Sequence, residues 1–256
     1  MTTIAPVSEL LALEKLREQE LEEARAIQSM MLPAESLHSC GVTISHEFQP
    51  VAAVGGDFLD YFELPNGSIG LYLGDVSGKG LPAALFGALA VGTLRGVHKT
   101  GTPAEQVLTT MNRRLMIRGM PRRHTALQYA VFDPHTREMQ ISSAGMPGPV
   151  HFSRNGCRLL ELSGIPPGLW PAAAYDACSF RLAPGDSLLF CTDGITDSMN
   201  MDEDTFSTER LLAFCGGHLS DSPAQLLHSV FAEVETFSLG HAQHDDMAAA
   251  VFHCVE

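Results

Sequence analysis

With 256 residues, 45% of them apolar and 18% charged, the chain can close a sizeable core, which excludes a disulfide- or metal-stapled mini-domain and a wholly disordered polypeptide. Sixteen Lys and Arg against thirty Asp and Glu leave a formal charge of −14, so the long-range field repels polyanions and argues against nucleic acid or an anionic membrane face as partner. Six cysteines stand apart with no C-x-x-C pair, and the first twenty residues lack the basic leader, apolar stretch and cleavage site of a secretion signal, so a reduced, cytoplasmic protein is expected.

Residues 8–32, SELLALEKLREQELEEARAIQSMML, carry a helical pattern with Ser8 as N-cap and Pro33 as terminator. Leu10, Leu13, Arg17, Glu20, Ala24, Ile27 and Met31 fall on heptad core positions; Arg17 and Glu20 spoil the middle, and Leu21 and Leu32 suit a shifted frame. Two readings stay open: a short, stuttered coiled coil that pairs two copies, slightly favoured, or a helix laid on its own domain. After Pro33 the period changes to that of strands, at 42–48, 57–64 and 68–76, with Asn66 and Gly67 as a hairpin turn. Helices are expected at 81–98 and 103–118, the second with Thr102 as cap and Pro103 as first residue. The uncharged run from Gly80 to Leu94 is too short for a bilayer and is broken by Pro82, Gly87 and Gly92, so it reads as a buried helix and no membrane insertion is expected.

Strands follow at 125–132, 137–143, 149–153 and 157–161, with turns at 133–136 and 154–156. A strand at 177–182, a turn at 183–186 and a strand through 187–194 lead to helices at 207–217 and 222–237 and a last strand, MAAAVFHCV. Hairpin links with helices inserted in pairs predict an α+β fold, not a doubly wound parallel sheet.

The acidic residues with chemical promise stand at strand ends among glycines: Asp57 after Gly55 and Gly56, Asp75 after Gly74, Asp193 between Thr192 and Gly194, and the pair Asp245 and Asp246. A single Asp beside Gly is more often a turn or a helix cap, but four such positions at strand ends can converge on one rim. Clustered carboxylates repel, and burial raises their pKa values unless a cation sits among them. Hard oxygen donors without His or Cys favour magnesium or manganese over zinc. A pair of such ions lowers the pKa of a bridging water and orients a phosphoryl oxygen, which is the chemistry of phosphate-ester hydrolysis.

Four segments carry a resemblance: GGDFLDYF from Gly55, GDVSGKGLPAAL from Gly74, CTDGITDSMN from Cys191 and HDDMAAAVF from His244. In order and spacing they resemble the metal-dependent protein Ser/Thr phosphatases (PPM, protein phosphatase 2C-like), in the branch of stage II sporulation protein E and the sigma-factor regulatory phosphatases. ARAIQSMMLPAE at 24–35 resembles that branch's lead-in helix, so the likeness spans 24–255. It implies a layered α-β-β-α sandwich of two antiparallel sheets, with an N-terminal helix at 1–33 and the phosphatase domain at 34–256. It also implies two manganese or magnesium ions held by Asp57, a bridging Asp75, the Val76 carbonyl, Asp193 and Asp245. Asp246 ranks second to Asp245, because adjacent strand residues point to opposite faces. Catalysis would fall to Asp57, Asp75, Asp193 and Asp245, and the implied substrate is a phosphoserine or phosphothreonine on a small partner resembling an anti-sigma-factor antagonist.

The competing class is a catalytically weak scaffold that keeps the fold and sequesters a partner; net charge and motif order disfavour a two-metal nuclease. The resemblance further implies a switch in which the helices after GDVSGKG couple the N-terminal helix to the metal site, while the plain role of the apolar face Leu81, Leu85, Leu89 and Leu94 is core. The chain departs from the branch at Met146, where a His is usual, at Ala248, where a Thr is usual, and at Asp197, where a Glu is usual. None of these is a ligand position.

Other signals fail. GDVSGKG is one residue short between its glycines for a P-loop and lacks the following Ser or Thr. His241 and His244 have no zinc-site companions, and no G-x-S-x-G elbow exists. Arg113, Arg114, Arg118, Arg122 and Arg123 read as a solvated helix end, with docking of an acidic or phosphorylated partner as the lesser role.

Overall fold

A computed structural model describes residues 7–99, 101–117 and 123–255. The chain opens with helix α1 (Val7–Ser29), then strands β1 (Leu37–Ser39), β2 (Val42–Gln49), β3 (Phe58–Glu63) and β4 (Ile69–Val76). Helices α2 (Gly80–Arg95) and α3 (Ala104–Met116) precede β5 (Thr125–Asp133), β6 (Glu138–Ala144), β7 (Val150–Ser153), β8 (Gly156–Leu159), β9 (Cys178–Arg181) and β10 (Ser187–Cys191). A short α4 (Asp193–Thr196), α5 (Thr208–Gly216), α6 (Pro223–Phe237) and β11 (Met247–Cys254) complete it.

The strands form two sheets, in the orders β1-β2-β11-β10-β7-β8 and β3-β4-β5-β6-β9, with every pairing antiparallel. Because side chains alternate across a strand, each central strand feeds two cores. Leu71 and Leu73 point between the sheets to meet Ile141, Phe190 and Phe252, while Tyr72 points to the layer of α2 and α3. On the other sheet Leu188 and Phe190 face inward, and Leu189 packs with Leu211 of α5 and Val230 of α6. Central strands buried on both faces therefore read as nearly continuous apolar runs, as in IGLYLGDV and SLLFC. The layered α-β-β-α sandwich with its N-terminal helix is the architecture that the sequence predicts.

Several local expectations are corrected. Ser8 lies inside α1, already helical at Val7, and the helix ends at Ser29, short of Pro33. Pro103, not Thr102, caps α3, and the Gln140 side chain accepts the first free amide, from Ala104, at 2.7 Å. The strand expected through 194 stops at Cys191, and Asp193 instead opens α4. β1 has no counterpart in the sequence reading.

The largest correction concerns α2. Leu81, Leu85 and Leu89 are 45%, 65% and 54% exposed, and only Leu94 of that set is buried. The packed face is Ala83, Ala84, Phe86, Gly87, Ala90, Val91 and Leu94. Small residues let the helix lie close on the chain beneath, where a Cβ on Gly87 would stand 3.2 Å from the Gly56 carbonyl. Among the described residues no helix is long and apolar enough to cross a membrane. Arg118 and Arg122 of the basic cluster lie outside the described residues.

Candidate metal centre

Antiparallel pairing dictates which acids meet. Phe58 pairs with Gly74, so Asp57, just before β3, lies beside Asp75, just after Gly74. Cys191 pairs with Ala249, which brings Asp193, beyond the end of β10, and Asp246, just before β11, to the same edge of the sandwich. Thr192 joins the two sheets there: its Oγ1 donates to Asp57 Oδ2 at 2.7 Å and accepts from the Ala248 amide at 3.0 Å, and its own amide donates to the Ala248 carbonyl.

Asp57 is fully enclosed, and its pKa is driven well above the carboxylate range, first by burial and then by the charge of Asp75. Asp75 is pushed up to about 6 by burial and the charge of Asp193. Burial, with Asp197 and Asp245 nearby, raises Asp193 as well. The Val76 carbonyl faces Gly56, 3.0 Å from where a Cβ on that residue would stand. Asp245 is more open; its Oδ1 accepts from the Asp246 amide and its Oδ2 lies 3.7 Å from Lys79 Nζ, an exposed pair worth little through screening.

Asp246 is placed differently from its neighbour. Its Oδ1 accepts from the Val51 amide at 2.8 Å and its Oδ2 from the Gly56 amide at 2.6 Å, so a carboxylate 2% exposed ties down the loop that carries Asp57. Close approach explains the glycines: a Cβ on Gly55 would meet the Asp246 carboxylate at 2.6 Å, and one on Gly194 would meet the Asp246 carbonyl at 1.9 Å.

Two contributors were not visible in the sequence, Thr192 and Gln28. Gln28, the single buried residue of α1, donates from Nε2 to the Gly55 carbonyl at 2.7 Å and accepts the Gly55 amide on Oε1 at 3.0 Å. It sits in the segment ARAIQSMMLPAE, but a Gln in a helix rich in Glu and Arg gives no periodic signal. Of the departures, Met146 and Ala248 are buried between the sheets.

The donor chemistry fits divalent cations: carboxylate oxygens ranging from buried Asp57 through half-buried Asp75 to exposed Asp193, and a carbonyl, with raised pKa values at these three acids that a bound cation would reverse. Among the described residues, however, no group of three or more His, Cys, Asp or Glu side chains is already spaced to hold a metal ion. The fit to a cation rests on the donor chemistry.

The two covered sheets with this edge define a protein phosphatase 2C-type domain architecture. The SiaA-PP2C domain of Pseudomonas aeruginosa shares it, with a TM-score of 0.84 at 20% sequence identity, covering 96% of this chain and 99% of that one. Residues 65–255 match the family described as Stage II sporulation protein E (SpoIIE), and the chain belongs to that family. Protein IcfG of Synechocystis sp. is 24% identical over 89% of this chain and 40% of its own length. Phosphoserine phosphatase RsbU of Bacillus subtilis is 23% identical over 91% of this chain and 69% of its own. The chain thus spans less than half of IcfG and about two thirds of RsbU.

Proposed function

We propose that the chain is a metal-dependent protein phosphatase that hydrolyses phosphoserine or phosphothreonine by direct attack of water, with no covalent enzyme intermediate. The observation that carries this reading is the convergence of Asp57, which is buried, Asp75, which is half-buried, and Asp193, which is exposed, at one edge of a phosphatase-type sandwich, with all three raised in pKa. In it Asp57, Asp75, the Val76 carbonyl, Asp193 and Asp245 are the groups that would hold manganese or magnesium ions. When bound, such ions supply hydroxide near neutral pH and offset the charge of the phosphoryl group.

The protein's own groups do the positioning. Thr192 fixes the rotation of the Asp57 carboxyl, and Asp246, with both oxygens on backbone amides, sets the height of the Gly55–Asp57 loop and is a positioning residue. The burial that raises Asp57, and in part Asp75, limits screening by bulk water, so both would favour a cation once ionised.

The substrate reading is a phosphoserine on a small regulatory protein resembling an anti-sigma-factor antagonist, supported by family membership and by RsbU's name as a phosphoserine phosphatase. We also propose a domain boundary near 33, a cytoplasmic location, and a homodimer through α1, whose Leu10, Leu13, Leu16 and Ile27 are exposed. The open spacing of the acids favours one second reading, a catalytically weak scaffold. The test is turnover of p-nitrophenyl phosphate with manganese, with chelator, and by Asp193→Asn. Loss of about 100-fold or more in the last two is expected; equal turnover in all three overturns the phosphatase reading.

A further inference from the structure

The segment between β8 and β9 borders the acid edge and exposes a row of large apolar side chains. Ile165, Leu169 and Trp170 are 42%, 53% and 58% exposed, and Trp170 is the only tryptophan in the chain. The backbone beneath them is built, not loose. Asn112 of α3, 2% exposed, accepts the Gly168 amide at 2.8 Å and donates to the Trp170 carbonyl at 3.0 Å. Gly168, at φ +86°, turns the chain against Leu115, and Pro166 sits on Gly145. One buried carboxamide thus satisfies the loop and leaves its apolar side chains facing solvent, where burial against a partner would be favourable.

Register gives the distance to the chemistry. Asp75 pairs with Ala126 and Leu127 with Ala144, so Gly145 lies in the row of Asp75, two strands away. At about 4.8 Å per strand that is about 10 Å, the length of three extended residues at about 3.3 Å each. Positive charge marks the same edge of this acidic protein: Arg123 donates from Nη1 to the Ser77 carbonyl, just past Val76, and Lys79 stands beside Asp245. A phosphorylated segment complements both features, with its dianionic ester at the acid edge once metals are bound and an apolar side chain on the ridge.

Resting on the phosphatase reading above, we propose that Ile165, Leu169 and Trp170 form a specificity ridge for the protein substrate. It takes an apolar side chain about three to five residues from the phosphoserine, on whichever side of it the segment runs across the ridge.

The test compares synthetic phosphoserine peptides that carry leucine, or serine in its place, about four residues to either side of the phosphoserine. The wild-type chain with manganese is expected to favour a leucine peptide by about tenfold in kcat/KM. Trp170→Ala and, separately, Leu169→Ser are expected to lose that preference while turning over p-nitrophenyl phosphate within about twofold of wild type. Absence of a preference in wild type, or its persistence in both variants, overturns the ridge and leaves the phosphatase reading standing. Failure of every phosphate ester to turn over overturns the phosphatase reading instead, and docking is then read without turnover. In Asp193→Asn the emission of the sole tryptophan must respond to the leucine peptide and not to the serine peptide, and an unchanged spectrum overturns the ridge on its own.

Discussion

Asp245 and Asp246 are chain neighbours with opposite surroundings, and the difference is measurable. Asp246→Ala strips the acceptors from the half-buried Val51 amide and the buried Gly56 amide, each worth about 1–3 kcal/mol when left unmade. At roughly 2–4 °C per kcal/mol for a chain of this size, the melting temperature is expected to fall by about 5–15 °C even in chelator. Asp245→Ala removes a half-exposed carboxylate with no such burden, so melting in chelator is expected to hold within about 2 °C while manganese-dependent turnover collapses. Thermal melts of both variants in chelator check this; equal losses would refute the assignment of different roles. The carboxylates were legible because glycine and strand-end position mark them. Gln28 and Thr192 were not, because their roles come from partners 27 and 135 residues away in sequence. Gln28→Ala leaves both polar groups of Gly55 unpaired two residues from Asp57. It is expected to raise the manganese concentration for half-maximal turnover, as well as lower the melting point, and a metal dependence identical to wild type would rule out that coupling.

At the scale of elements, hydrophobic period placed the strands and helices well, because strands buried on two faces and helices buried on one leave different patterns. Boundaries moved where a cap or turn belongs to a distant partner, as when Gln140 takes the first amide of α3. The packed face of α2 was misread because leucine count outweighed the alanines and glycines that permit close approach, and Leu81, Leu85 and Leu89 face solvent. Helix α1 is likewise held by one buried side chain, Gln28, while Leu10, Leu11, Leu13 and Leu16 are half or more exposed. Unpaired, such a helix has little to hold it, since isolated helices gain most of their stability from packing an apolar face. The proposed pairing of two copies through α1 predicts that Leu10→Glu combined with Leu13→Glu halves the mass measured by light scattering. A mass unchanged by the double substitution would exclude α1 as the pairing element.

For the whole molecule, net charge and the acid edge act in the same direction. Asp57, Asp75 and Asp193 all have folded pKa values above those of the unfolded chain, so between about pH 4 and pH 6 the native state binds more protons than the unfolded state. Stability of the metal-free chain therefore falls as pH rises through that window and goes on falling until the last of the raised acids, Asp57 included, has ionised. In the proposed function metal ions would compete for the same oxygens and release those protons, so their contribution is expected to be larger near pH 7.5 than near pH 5. At an ion concentration about 100-fold above Kd the gain is about 2.7 kcal/mol, or about 5–10 °C of melting temperature. Calorimetric scans with chelator are expected to show a higher melting temperature at about pH 5.5 than at about pH 7.5, and manganese is expected to reverse that order. Self-repulsion from a charge of −14 gives the same slope in chelator, so Asp75→Asn separates the two causes. That variant keeps nearly all the net charge but loses a shifted group and a ligand, and it is expected to flatten the slope and abolish the manganese gain. If it instead retains both, the pH response comes from general repulsion and the acid edge does not gather cations.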